Sequence, residues 1–310
     1  VSDRRVRLGE VDRYRWLAAL AIVWIHTATS QLALEATLCA RFAVPFFAVT
    51  LGYFAAQSTK PFTAYAAQRA RSLYLPFLAW TVIYLGVRYL AAWALHHSAP
   101  AIPPFLSLIS SGSAQHLWFL PFGFVLSITA YALRQRPRWA LLGVLLAVAV
   151  TLLPRPHQGS LGYFLGLAHD NLLPGLAGIW LAAKGPLQEN ARIRAASWVV
   201  ALLAMGFELS LGRNAFIEAG LGLSIFLATA SAPAGQRDLD TRLGALAFGV
   251  YVVHVLFVEG FQDGLAYVLG SSGSPSLSLS LDLFVFASAA IASVGATLVL
   301  RRSSWTRWLV

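Results

Sequence analysis

The sequence predicts an all-α fold: a polytopic bundle of about ten transmembrane helices with both termini on the cytoplasmic side. Three observations predict it. The 310 residues are 58% hydrophobic and only 12% charged, with a mean hydropathy of +0.66, well outside the balance of soluble globular domains. Apolar runs of roughly 17–25 residues recur along the chain, the length that carries a helix across the ~30 Å of a bilayer core. Between alternate runs lie short basic clusters that together hold 19 of the 23 Lys and Arg residues, the asymmetry that marks a cytoplasmic face.

The runs place spans near 16–34, 40–56, 72–93, 115–133, 139–154, 161–183, 195–211, 215–230, 242–259 and 281–300. The first has the basic start and apolar middle of a signal peptide, but its length, its His26 and the lack of a small-x-small cleavage site point to a retained helix. Pro45 and Gly52 in the second permit a kink and a close helix approach. The third follows Arg69 and Arg71, and the fourth opens on HLWFLP. The fifth is short and follows Arg134, Arg136 and Arg138. Asp170 and Asn171 lie inside the sixth, Arg213 separates the seventh from the short eighth, and the ninth contains His254 and Glu259. The tenth ends at Arg301 and Arg302. The longest outer connections, about 94–114 and 260–280, are rich in Pro, Gly and Ser and too small to fold alone. Residues 1–310 are therefore read as one membrane-embedded domain whose chemistry lies among its helices.

A net charge of +10 and a pI near 10.3 could point to nucleic acid, but the basic residues are spread along the chain rather than gathered on one face. They report topology, and no nucleic-acid partner is expected. The four that fall on the outer side are Arg41, Arg88, Arg155 and Arg213. The single Cys39 allows no internal disulfide, and no Cys/His grouping has metal-ligand spacing, so no metal is expected.

Arg15 and His26 stand eleven residues apart in RWLAALAIVWIH. At ~100° per residue the two share nearly one helix face, and at ~1.5 Å per residue His26 lies about 16 Å above Arg15. With Arg15 at the inner mouth, His26 falls near the bilayer centre, where a titratable side chain is expensive and reads as functional. Arg69 and Arg71 lie at a predicted helix entrance, where guanidinium groups and free N–H groups can hold phosphate oxygens; the alternative reading is an ordinary positive-inside anchor. His116 and Trp118 sit at the outer end of the fourth span, where aromatic rings are either interface belt residues or a stacking surface for a sugar. Tyr251 and His254 lie one turn apart on the ninth span, with His254 again near mid-membrane. Asp170 is placed to orient a histidine or to satisfy another helix.

Together these stretches resemble the acyltransferase-3 family of integral membrane acyltransferases. The resemblance rests on the Arg-x10-His pair of the first helix, on R-x-x-x-PFF-x-x-x-x-GY from Arg41 to Tyr53, and on the Arg-containing segment leading to Pro76. HLWFL from His116 and the late segment carrying Tyr251 and His254 complete it. The family's usual ten-helix layout agrees with the count above. The resemblance implies transfer of an acyl group, most often acetyl from cytoplasmic acetyl-CoA, to a hydroxyl of a sugar or cell-envelope glycan outside a bacterial inner membrane. It implies Arg15 and His26 as the essential pair and Arg69 and Arg71 as contacts of the CoA phosphates. Acyl-CoA, the glycan acceptor and membrane lipid are the expected partners. One departure stands out: members commonly read Ser-Gly-Tyr where this chain has Leu51, Gly52 and Tyr53. Some relatives also carry a soluble esterase-like domain, which residues 1–310 are not expected to contain.

CoA is too charged to cross lipid, so its nucleotide is expected at the inner basic mouth while the pantetheine arm carries the thioester up to His26. A neutral imidazole then takes the acceptor's proton as general base, or forms an acyl-histidine, while Arg15 holds phosphate or thiolate. His116 and Trp118 form the acceptor end of one tunnel open to both faces, with Tyr251, His254 and Asp170 also facing the acceptor. A transporter or flippase for a small solute or lipid-linked sugar is the alternative, with His26, Asp170 and His254 as a proton relay. Such a protein often shows inverted repeats, and the two halves show no convincing similarity. A purely structural partner in an envelope complex has no reason to bury His and Arg in several spans.

Overall fold

The computed structural model describes residues 9–94, 98, 100–156, 159–233, 238–268 and 278–310. The secondary structure there is helical: α1 Gly9–Thr27, α2 Gln31–Ala40, α3 Ala43–Ala56, α4 Phe62–Arg69, α5 Leu75–Ala94, α6 Phe105–Ser110, α7 Phe119–Leu133, α8 Pro137–Thr151, α9 Gly159–Lys184, α10 Ala191–Leu211, α11 Ala215–Ala230, α12 Asp238–Val268 and α13 Leu279–Arg302. Every predicted span carries one of these helices. Six stretches among the described residues are long and apolar enough to cross a membrane: Gln31–Ala56, Phe62–Ala94, Gln115–Leu133, Ala191–Leu211, Asp238–Val268 and Leu279–Arg302. Pro137–Thr151 and Ala215–Ala230 are shorter apolar helices, as the sequence predicts for the fifth and eighth runs. Leu202, Leu203, Leu145, Leu146 and Ile291 project outward and are exposed, the apolar rim that lipid covers.

α3 is the hub. It buries Ala43, Phe46, Ala48, Val49, Tyr53 and Ala55 around most of its circumference, as a helix apolar on all sides must, and packs against α1, α7, α9 and α11. Its closest approach is to α9. A Cβ on Gly52 would stand 2.3 Å from the Gly175 carbonyl oxygen, and one on Gly178 2.2 Å from the Val49 oxygen. Two backbones meet there with nothing between them, the small-residue contact that substitutes for hydrophobic driving force in lipid.

The first helix corrects the sequence reading. The predicted run to residue 34 breaks at Thr27, and Gln31 starts a separate helix. The cause is Asp282, fully buried in the first turn of α13. Its carboxylate accepts from the backbone N–H of Thr29 at 3.2 Å and of Ser30 at 2.9 Å, and from their hydroxyls at 2.8 and 2.6 Å. These groups leave the α1 ladder for a carboxylate that also sits at the positive end of α2.

α1 and α12 run side by side in a fixed register. Arg13 donates through Nε and Nη2 to both oxygens of Asp240, at 3.1 and 3.0 Å. A Cβ on Gly244 would stand 2.9 Å from the Asp12 carbonyl oxygen, and at the far end Gln262 donates to the Thr27 carbonyl at 3.1 Å. Contacts at both ends prevent one helix from sliding past the other.

Candidate active site

Three histidines meet where α1, α12 and the entry to α7 converge. His26 lies in the last turn of α1, His254 midway along α12, and His116 in the one-turn 3-10 helix Gln115–Trp118 that leads into α7. The ring centroids of His26 and His254 are 5.1 Å apart, those of His116 and His254 4.9 Å, and those of His26 and His116 6.2 Å. The break at Thr27 puts His26 at a helix C-terminus rather than inside a continuous span.

Two tyrosines place His116. The Tyr251 hydroxyl donates to the His116 carbonyl. The Tyr84 hydroxyl donates to the Val252 carbonyl at 3.0 Å and lies 3.5 Å from His116 Nε2. The turn before it depends on Gly112, at φ 77°, where a Cβ would stand 2.9 Å from the Thr81 hydroxyl oxygen. Carbonyls only accept, so the contacts of His116 Nε2 with the Val252 oxygen at 3.3 Å and of His254 Nδ1 with the Tyr251 oxygen at 2.7 Å assign a hydrogen to each of those nitrogens. The other nitrogens, His116 Nδ1 and His254 Nε2, are then bare lone pairs. Both are buried without a hydrogen-bond partner.

A cavity of about 210 Å³ opens from this cluster. His26 and His116 form part of its wall. Phe47, Trp118, Phe119, Tyr163 and Tyr251 line it with aromatic surface, and Arg41, Gln115, Asn171, Arg213 and Glu218 give it polar edges. Arg213 Nε donates to Glu218 at 2.9 Å, and its guanidinium lies 3.6 Å from Asp170. Arg155 pairs with Asp170 at 3.1 Å, and Arg41 stands 4.0 Å from Glu218. Arg88 finds Glu259 at 2.7 Å. All four arginines that depart from the inside bias are thus ion-paired, as charges near lipid must be.

The predicted site residues separate into three groups. His26, His116, Trp118 and Tyr251 line the cavity, and His254 stands behind it, fully buried against both histidines. Asp170 does orient a histidine, but it is its neighbour His169, at 3.2 Å, and it reaches the cavity only through Arg213. Arg15, Arg69 and Arg71 lie apart from the cavity. Arg15 donates to Asp12 at 3.0 Å, so it shares a helix with His26 but no contact.

The arginine segment also differs from expectation. Arg69 and Arg71 do not stand at a helix entrance: α4, a π-turn over Ala70–Tyr74 and α5 form one unbroken helical run from Phe62. The backbone N–H groups there are spent inside the helix, leaving only guanidinium donors for an anion. Arg71 is exposed, and Arg69 lies over the Tyr65 ring at 5.2 Å with its Nε buried and unpartnered. A π-turn often marks a functional segment.

Arg41, Arg213, Glu218 and Gln115 are among the cavity residues that sequence reasoning missed as site residues. The signal existed for two of them, since Arg41 and Arg213 were exceptions to the basic-residue asymmetry. The Leu51, Gly52 and Tyr53 stretch proves to be a packing device. The Leu51 side chain comes within 2.8 Å of a Cβ built on Gly123, Gly52 meets Gly175, and the Tyr53 hydroxyl accepts from the Leu187 N–H at 2.8 Å.

Among the described residues no set of three His, Cys, Asp or Glu side chains is arranged to hold a metal ion. The three imidazoles instead offer lone pairs and N–H groups beside a polar, aromatic-walled cavity, the equipment of general base catalysis on a hydroxyl. No curated protein and no solved structure matches the chain significantly. The family model for the acyltransferase domain matches residues 8–302, nearly the whole sequence, and with the motifs and helical bundle described above the chain belongs to the acyltransferase-3 family of membrane acyltransferases.

Proposed function

We propose that this chain crosses a bacterial inner membrane ten times, with both termini in the cytoplasm. In this reading it transfers an acetyl group from cytoplasmic acetyl-CoA to a hydroxyl of a sugar or cell-envelope glycan on the outer side. The observation that carries this reading is the cavity itself, with His26 in its wall and hydrogen-bonding groups and aromatic rings around it. Rings that stack on sugar faces and charged groups that hold hydroxyls are its walls. At about 210 Å³ it is smaller than the pockets of drug-sized ligands, which suits one sugar ring with the rest of a glycan outside. Arg41 precedes α3 and Arg69 follows it, so a helix about 21 Å long lies between the cavity's edge and the arginine segment in the chain, which supports placing the two toward different ends of the bundle. Acceptor and donor therefore approach from opposite ends.

In this reading Arg69 and Arg71 hold the CoA phosphates, and the thioester is brought to His26. His26 takes the proton of the acceptor hydroxyl as its oxygen attacks the thioester carbonyl. The C–S bond breaks, and the proton leaves with the CoA thiolate. The test uses protein in liposomes with acetyl-labelled acetyl-CoA and methyl hexopyranosides. Release of free CoA with label in an ester, lost in His26→Ala at unchanged protein level and CoA binding, is the expected result. Full activity of His26→Ala would overturn it, as would substrate translocation without CoA release.

A further inference from the structure

His254 is fully buried and does not line the cavity, so it cannot touch an acceptor that His26 and His116 reach. It is nonetheless the ring nearest to His26, at 5.1 Å between centroids. Its Nδ1–H is committed to the carbonyl of its own helix at Tyr251, 2.7 Å away. In a neutral ring this leaves Nε2 as a lone pair, and that atom is buried with no partner. An unsatisfied polar atom in a buried site is costly and calls for an explanation.

We propose that His254 is the positioning residue of His26: its bare Nε2 accepts the N–H of the His26 ring in the reacting state and turns the other His26 nitrogen toward the acceptor hydroxyl. The inference rests on the reading of His26 as the general base. Terminal ring torsions are broad, so turning the His26 imidazole is a small adjustment. The backbones need not move, because the paired contacts of Arg13 with Asp240 and of Gln262 with Thr27 hold α1 and α12 in one register. The arrangement generalises a nucleophile-activating triad, in which a third group orients the base, with a neutral imidazole as the orienting group.

The other groups packed on the pair leave this role open to His254. His116 also has a bare nitrogen, Nδ1, but its ring is the more distant from His26, at 6.2 Å, and lines the cavity where the acceptor would lie. The Tyr84 and Tyr251 hydroxyls donate to the Val252 and His116 carbonyls. Among the described residues no carboxylate is hydrogen-bonded to any of the three rings. During transfer the hydroxyl proton moves to the free His26 nitrogen as the O–C bond forms. The imidazolium then holds two N–H groups, one of them donated to His254 Nε2. When the C–S bond breaks, the newly acquired proton passes to the CoA sulfur, and both histidines return to their starting state.

The test compares His254→Ala with His254→Gln, since a glutamine amide can place an oxygen acceptor near the position of Nε2. His254→Ala is expected to lower kcat about 10–100-fold, the range seen for outer-shell partners, with KM for methyl hexopyranoside and the Kd for CoA unchanged. His254→Gln is expected to recover most of that loss. An activity-independent readout is the 15N-histidine spectrum of the protein in lipid bilayers. His26 should show a single tautomer in the wild type and in His254→Gln, and a mixture in His254→Ala. Wild-type kcat in His254→Ala overturns the proposal, and so does a His26 tautomer indifferent to the substitution. If His26→Ala itself remains active, the general-base reading falls while the spectra still report whether the two rings are coupled.

Discussion

Glu218 shows how single residues set the chemistry of the cavity. It accepts from Arg213 at 2.9 Å and stands 4.0 Å from Arg41, so one carboxylate holds two guanidinium groups at the rim. Arg41 is the looser of the two, its Nε buried without a hydrogen-bond partner, and under the proposed function it donates to the acceptor hydroxyl. Replacing Arg41 with Gln should lower kcat/KM for methyl hexopyranoside by about 10–100-fold, since a charge-assisted hydrogen bond is worth about 1.5–3 kcal/mol. CoA binding should not change, and initial-rate kinetics with a CoA binding isotherm check both halves. At this scale the sequence was partly legible. His26, His116 and Tyr251 were recognisable because polar side chains within apolar runs are conspicuous. Glu218 was not, because a carboxylate in the first turn of a helix reads as an ordinary helix-terminal residue until its arginine partners are known.

At the scale of elements, the α3 and α9 pair carries the largest share of precise packing. Gly178→Ala forces a methyl group to within 2.2 Å of the Val49 carbonyl oxygen, a contact with backbone that no side-chain rotation relieves. A loss of stability of about 1–3 kcal/mol or more is expected from such overpacking, read as a lower Tm in detergent. Gly206→Ala is the control, because nothing lies within 4 Å of its added Cβ. Helix existence was legible from the run lengths of apolar residues, and boundaries were not. The end of α1 depends on Asp282, which is 253 residues from Thr29 along the chain and captures N–H groups that the local sequence leaves in a helix. Likewise the fusion of α4 and α5 through a π-turn removed a helix entrance that a basic cluster before an apolar run suggests.

For the molecule as a whole, orientation is the property on which the proposed division of donor and acceptor sides depends. In a Cys39→Ser background, an impermeant thiol reagent applied from outside should label a cysteine replacing the exposed Gln31 and miss one replacing the exposed Arg136. Labelling of both from one face would refute the ten-span arrangement.

Membrane character, an all-helical fold and the presence of ionisable groups among the spans follow from composition and period. Lipid requires every backbone group to be satisfied within its own segment, so apolar runs of sufficient length have little choice but to be helices. Which of those groups meet was decided by tertiary structure. His26, His116 and His254 lie up to 228 positions apart, and helix register, the Asp282 clamp and the Gly112 turn bring their rings within 6.2 Å of one another. The separation of Arg15 from the cavity was settled the same way, whereas its pairing with Asp12 is a local contact three residues apart on one helix. Helical period specifies the face on which a side chain lies, whereas the partner across that face depends on how two helices slide and cross, and those degrees of freedom are fixed by contacts far apart in the chain.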